Sequence, residues 1–242
     1  MHPVLAHIGP FSLYSWGLLV GIGFLAALAI AIPFGKRIGL SPELLTDGAV
    51  ALIAASLIGA RTFYVVEFWH DYMDQPWRIF MVQQGGLVFY GGFIAGVLTL
   101  WWFAKKRGVS LLRILDAAVT GGTVGYAIGR IGCFLNGCCY GIETNVPWAV
   151  HFPNLPGMRH PTQLYSSAAG ILLFLLALRV WSGRKKDGQV FFTVAIGYAV
   201  YRFILEFFRY SPDHIGGLTP SQLICIGVLG VGVWGLRHIR KA

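Results

Sequence analysis

Three arginines lie inside long apolar runs of this chain: Arg61, Arg130 and Arg202. A guanidinium at mid-bilayer costs ~2.5–3.5 kcal/mol on insertion scales. Each therefore needs a polar interior and an anion. Glu67, Asp116 and Glu206 are the acids close enough in sequence to serve. Three cations near the outer ends of their helices, with so few acids, favour an anion site. A lipid phosphate is the anion available at that level. Arg179 sits closer to a helix end and reads as a snorkelling interface residue.

Around these arginines the spacing is informative. Tyr198, Arg202, Glu206 and Arg209 are separated by 4, 4 and 3 residues, which puts them on one helix face. Arg202 and Glu206 at i,i+4 also suit a self-satisfied ion pair. Arg130 stands in Gly129-Arg130-Ile131-Gly132-Cys133-Phe134-Leu135-Asn136-Gly137-Cys138-Cys139-Tyr140-Gly141. Glycines there let backbone approach a ligand and open N–H groups toward it. A second glycine-flanked tip is Gly85-Gly86-Leu87-Val88-Phe89-Tyr90-Gly91-Gly92-Phe93. Of the four cysteines, Cys133, Cys138 and Cys139 cluster, and Cys225 stands apart. They suit a local disulfide or buried free thiols. His151 and His160 could complete a zinc site, but the spacing follows no C-x-x-C pattern, and no metal or other cofactor is expected.

Elements of membrane length must hold these residues. The 242 residues are 56% hydrophobic and 12% charged, with a mean hydropathy of +0.65. That charge is about half of the roughly 25% usual in soluble domains, so a soluble monomer and a disordered chain are both excluded. Glycine is abundant, at 32 residues, which fits close-packed membrane helices. Spans need roughly 20 apolar residues. Seven are predicted, at Leu13–Phe34, Leu44–Val66, Val88–Ala104, Leu111–Ile131, Thr162–Trp181, Val190–Phe208 and Ser221–Leu236. The first run is too long for a cleavable signal peptide and has no positive residues before it.

Eleven of the nineteen cations fall after alternate spans: Lys36 and Arg37; Lys105, Lys106 and Arg107; Arg184, Lys185 and Lys186; Arg237, Arg240 and Lys241. Positive residues resist translocation. The predicted fold is therefore an all-α integral membrane protein with seven crossings, N-terminus extracytoplasmic and C-terminus cytoplasmic. The basic runs read as topology signals, and no nucleic-acid partner is expected. Residues 67–87 read as an aromatic interfacial arm, and 136–161 as a small extracytoplasmic cap. Residues 1–242 read as one membrane domain, without internal repeats.

The chain resembles the bacterial prolipoprotein diacylglyceryl transferase family. The Gly129–Gly141 stretch is similar to that family's signature. Further blocks are Gly59-Ala60-Arg61, Tyr90-Gly91-Gly92, His160-Pro161-Thr162-Gln163-Leu164-Tyr165, Tyr198…Arg202…Glu206-Phe207-Phe208-Arg209…Pro212-Asp213 and Leu218-Thr219-Pro220-Ser221-Gln222. They run in family order across nearly the whole chain. The resemblance implies transfer of a diacylglyceryl group from phosphatidylglycerol to the lipobox cysteine of a preprolipoprotein, in the bacterial cytoplasmic (inner) membrane. A thioether forms and glycerol 1-phosphate leaves. Its expected partners are phosphatidylglycerol, the lipobox segment of the signal peptide, and membrane lipids.

On this reading Arg130 and Arg202 clamp the phosphate, with Arg61 in support. Glu206, Tyr198 and Tyr90 join them as catalytic candidates. Asn136, Gly91, Gly92, Gly129, Gly132, Gly141, His160, Asp116 and Trp16 are candidate substrate-binding residues. Five positions depart from the family pattern, among them Trp16, which stands at an aromatic position whose hydroxyl it lacks. Tyr90 stands where a histidine is usual, Cys133 and Cys138 replace an asparagine and a glutamate, and Ser166 stands where an acid is common. Tyr90, Glu206 and His160 all remain open as the base. Two other classes compete with the transferase: a membrane thiol-disulfide/quinone oxidoreductase, suggested by the cysteines, and an anion transporter, suggested by the arginines.

Overall fold

The structure, a computed structural model, describes residues 1–8, 11–81, 85–153, 155–212 and 214–241. Asp213, one of the family-like positions, lies outside them. Seven α-helices dominate: α1 (Ser15–Lys36), α2 (Pro42–Glu67), α3 (Phe89–Lys106), α4 (Leu111–Asn136), α5 (Thr162–Trp181), α6 (Gln189–Leu205) and α7 (Pro220–Lys241). Six segments are long and apolar enough to cross a membrane: α1, α2, α4, α5, α7 and Gln189–Phe208. α3 has 18 residues and ends on Lys105 and Lys106, a length of about 27 Å. Its shorter apolar stretch sets it apart from the other six.

Burial runs opposite to that of a soluble protein. Leu25, Ile58, Leu172 and Trp234 are each more than 60% exposed. Asp116, Thr120, Gln163, Ser166, Arg202, Glu206 and Gln222 are buried. A lipid-facing bundle does this, because lipid chains solvate apolar side chains as well as a protein core does.

The chain divides into two compact units, Met1–Phe34 with Leu115–Ala242, and Gly35–Ile114. In the first, small residues let helices meet backbone to backbone. Gly23 and Ala27 of α1 face Gly121 and Gly125 of α4, and a Cβ at Gly121 would overlap the Ala27 carbonyl. This is small-xxx-small packing. α7 begins with a capping box: Thr219 N–H donates to Gln222 Oε1 at 2.9 Å, and Gln222 N–H donates to Thr219 Oγ1 at 3.2 Å. Pro220 fills the first helical position, where no N–H is needed.

Short strands close one end of this unit. β1 (Val4–Ile8) pairs antiparallel with β2 (Phe11–Tyr14), and His2 N–H donates to Leu135 O at the end of α4. β3 (Val150–His151) pairs with β4 (Met158–Arg159). The sequence reading placed neither hairpin. Arg159 is the buried strut of the second. It donates to Glu143 Oε1 at 2.9 Å and to Gly141 O at 3.3 Å, and its guanidinium lies over Tyr140.

In the second unit α2 lies along α3. Gly59 meets the carbonyl of Gly91, and Gly92 meets that of Ser56. Beyond α2 come two 3-10 turns, Trp69–Tyr72 and Pro76–Phe80. Arg61 organises them. Its guanidinium donates to the carbonyls of Arg78, Ile79, Gly85 and Gly86 at 2.6–3.0 Å, and it also lies near the rings of Tyr64 and Tyr72. A lysine has three donors on a point and cannot span four carbonyls fixed by a planar fork. Arg61→Lys is expected to speed proteolytic cleavage within 68–81 by at least about tenfold, equivalent to the roughly 1.4 kcal/mol of a single charged hydrogen bond. Unchanged cleavage kinetics would contradict this role for Arg61.

Candidate active site

Four helix ends of the first unit build the candidate site: the C-terminal turns of α4 and α6 and the N-terminal turns of α5 and α7. On α6, the buried Arg202 donates through Nη1 to the buried Glu206 and through Nη2 to Ser221 Oγ at 3.1 Å. The capping box of α7 sets Ser221 at that point. Sequence spacing placed Arg209 on the same helix face. Instead α6 ends at Leu205, and Glu206–Phe208 tightens into a 3-10 turn. The chain unwinds because it pairs with residues 140–142: Ile142 N–H donates to Phe208 O, Tyr210 N–H donates to Tyr140 O, and Arg209 bridges Gly141.

Arg130 presents differently. It is half-buried, makes no ion pair among the described residues, and lies 4.8 Å from the centroid of the Tyr126 ring. Tyr126 shares a 3.0 Å hydroxyl–hydroxyl hydrogen bond with Tyr201 and meets Tyr198 edge to face. Arg130 and Arg202 both bear electrostatically on the Tyr198 phenol. The two guanidiniums thus address one aromatic cluster from separate helices. Only Arg202 is already neutralised by a carboxylate.

A groove of about 380 Å³ runs between α1 and α4, with Arg130 the charged residue of its lining. Trp16, Val20, Phe24, Tyr126 and Cys133 are among its walls, and Gly129 lines it too. Gly132 lies against Leu19 and Trp16 of α1. An apolar trough with an unneutralised guanidinium in its lining matches an amphiphile with an anionic head.

Cys133, Cys138 and Cys139 converge beside Arg130, and all four cysteines of the chain are free. Hydrogen bonds from the Cys133 and Cys138 thiols, helped by the charges of Arg209 and Arg130, hold the Cys139 thiol below its ordinary range against the opposing effect of burial. Gly141 packs against His160 and the Phe208 carbonyl so closely that a Cβ would overlap both. His160 Nδ1 is 3.0 Å from the Tyr165 hydroxyl, which also accepts from Trp148 Nε1. Asn136 is the last residue of α4. Gln163 is almost fully buried and donates to Cys138 O.

Asp116 lies elsewhere. Fourteen residues before Arg130 on the same helix, it is about 21 Å away along the axis. There its carboxylate accepts from Arg184 Nε, Gly188 N–H and Phe191 N–H at 2.8–2.9 Å. Arg61, Tyr90, Gly91 and Gly92 belong to the second unit. Tyr90 is 59% exposed in the first turn of α3, while Gly91 and Gly92 are buried against α2.

Sequence reasoning did not pick out Gln163, Ser221 or Tyr201 as parts of this site. Gln163 and Ser221 stood inside family-like blocks, and Tyr201 immediately precedes Arg202. Only the fold shows what each one touches.

A family model described as prolipoprotein diacylglyceryl transferase matches residues 3–237. A relative from Finegoldia magna is 36% identical over 90% of this chain and 88% of its own length. One from Gloeobacter violaceus is 34% identical over 98% and 93%, and one from Clostridium tetani 33% identical over the whole of both. All three are named phosphatidylglycerol–prolipoprotein diacylglyceryl transferase.

Proposed function

The chain belongs to the prolipoprotein diacylglyceryl transferase family, and on that premise we propose that it moves the diacylglyceryl group of phosphatidylglycerol onto a lipobox cysteine thiol. The observation that carries the assignment to specific residues is the unneutralised Arg130 in the lining of the apolar groove. Acyl chain would lie along the α1–α4 trough, with the phosphate at the guanidinium.

The chemistry then follows from charge. The thiol sulfur attacks the glycerol carbon, and the C–O bond to phosphate breaks. One negative charge on the diester becomes nearly two on the leaving glycerol 1-phosphate. A guanidinium fixed at those oxygens therefore binds the transition state more tightly than the ground state. Arg202 acts beside it, its fork set by Glu206 and Ser221, and both cations bear on the Tyr198 phenol. We assign the thiol proton to His160, whose ring is set by Tyr165. Trp16 and Gly129 line the trough, Gly132 lets α1 close against α4, and Gly141 and Asn136 shape the turn beside the phosphate. Within their own unit, Arg61 orders the turns after α2, and Gly91 and Gly92 let α3 pack closely on α2. Asp116 contributes by holding α6 in place.

Seven spans, an extracytoplasmic N-terminus and a site near the outer leaflet of the inner membrane complete the proposal. Two features support it. Within the first unit the candidate residues occupy the helix ends opposite Arg184–Lys186 and Arg237–Lys241. The aromatic Trp69, Trp77 and Phe80 are exposed on the arm.

The test is a purified-protein assay with a lipobox peptide and phosphatidylglycerol vesicles. A diacylglyceryl mass gain on the cysteine, with release of glycerol 1-phosphate, is expected. His160→Gln should lower the rate about 10²–10⁴-fold, as for loss of a general base. Absence of any mass gain with well-folded protein would refute the transferase assignment, and an unimpaired His160→Gln would refute the role of the imidazole.

A further inference from the structure

The three thiols beside Arg130 have a geometry that diacylglyceryl transfer does not call for. The Sγ atoms of Cys133, Cys138 and Cys139 all lie within 4.8 Å of one another. Side chains of adjacent residues ordinarily diverge. Here Cys139 is turned back by a left-handed backbone, φ 62°, and is the one non-glycine residue at positive φ among those described. Such a conformation is unfavourable for a residue with a Cβ and persists only when its surroundings fix it. The fixing groups are visible. Thr162 Oγ1 donates to Cys139 O at 2.7 Å, and Gln163 Nε2 donates to Cys138 O at 2.6 Å. Both side chains come from the first turn of α5, and both residues are almost fully buried. Cys133, on the last turns of α4, supplies the third sulfur.

We propose that Cys133, Cys138 and Cys139 form a three-coordinate thiolate site for one soft monovalent ion, Cu(I). A disulfide would use two of the sulfurs and leave the third as an odd thiol, whereas one ion uses all three. Zinc in a closed site takes four ligands, and among the described residues only these three ligating groups gather here. Thiolate ligands suit Cu(I), zinc and iron–sulfur clusters, and since iron–sulfur clusters, like closed zinc sites, take four protein ligands, three sulfurs alone suit Cu(I). Charge points the same way. Three thiolates and one monovalent cation carry a net charge of −2. Arg130 and Arg209 both act electrostatically on Cys139, and neither makes an ion pair among the described residues, so two positive charges flank the site. Binding displaces the thiol protons to solvent.

The experiment uses full-length protein in detergent, reduced throughout, titrated with Cu(I) against the chromophoric chelator bicinchoninate. One equivalent should be withheld from the chelator, and X-ray absorption should show a sulfur-only shell of three. Cys139→Ser should weaken binding by more than the about 10–100-fold that outer-shell changes cost. A measurement on the unaltered chain guards against a variant that misfolds. Cu(I) should protect Cys133, Cys138 and Cys139 from maleimide while Cys225 is labelled at its metal-free rate. The proposal is overturned if no Cu(I) is withheld, if nitrogen or oxygen enters the shell, if Zn(II) displaces Cu(I) stoichiometrically, or if the protection pattern does not separate Cys225 from the other three.

Discussion

Arg130→Ala is expected to lower transferase kcat/KM by at least about 10²–10³-fold, the cost of one donor to a developing anion. The effect should fall mainly on kcat, because charge on the phosphate rises only as the C–O bond breaks. Helix insertion and thermal stability should change little. Arg130 is half-buried and has no carboxylate to leave stranded among the described residues. Arg130→Lys should recover only a small part of the loss. Lysine keeps the charge but loses the two-pronged donor and the planar face that lies over Tyr126. Arg202→Ala is a less clean probe. Its removal leaves Glu206 buried without its guanidinium, so stability and activity should fall together. The contrast between the two variants is the informative result. If Arg130→Ala turned over within a few-fold of the unaltered chain, the phosphate would have to be held elsewhere.

Six of the seven expected spans recur as helices of membrane length, legible in the sequence because about 20 consecutive apolar residues admit few other structures. The Arg202–Glu206 pair was legible for a similar reason: i,i+4 neighbours on a helix meet wherever that helix goes. Two other features are non-local. The partners of Asp116, 68 to 75 residues away at Arg184, Gly188 and Phe191, leave no local pattern. Nor do the carbonyls around Arg61, which seemed from its position alone to need an anion. The N-terminal hairpin escaped because its second strand merges into the first apolar span. Thr219-Pro220-Ser221-Gln222 lies between these cases. Its capping signature is local and readable, but its consequence, Ser221 set against Arg202, depends on where α6 ends. The same holds for Arg209, whose helical spacing was correct as arithmetic and was overridden by pairing with residues 140–142.

Asp116 then offers the largest expected effect on stability. Its carboxylate is fully buried, and the bonds it accepts from Arg184, Gly188 and Phe191 all serve one purpose. Gly188 N–H and Phe191 N–H belong to the start of α6, where amides lack helical partners and an anion is favoured. Arg184 Nε approaches from the α5–α6 connection, with Arg184 Nη2 also on Asp187. Trp181 Nε1 donates to Thr120 Oγ1 one turn along α4, closing the same corner. Asp116→Ala removes the charge from all of these donors at once. Breaking a buried pair in this way costs about 3–5 kcal/mol, a large share of a typical folding free energy. The thermal unfolding midpoint in detergent should drop sharply. Asp116→Asn should fall between, since an amide oxygen can still accept from one of the α6 amides but cannot balance Arg184. Protein that remains folded should keep its KM for phosphatidylglycerol, because the phosphate site at Arg130 is about 21 Å further along α4. An unchanged midpoint together with a raised KM would instead put Asp116 in contact with substrate.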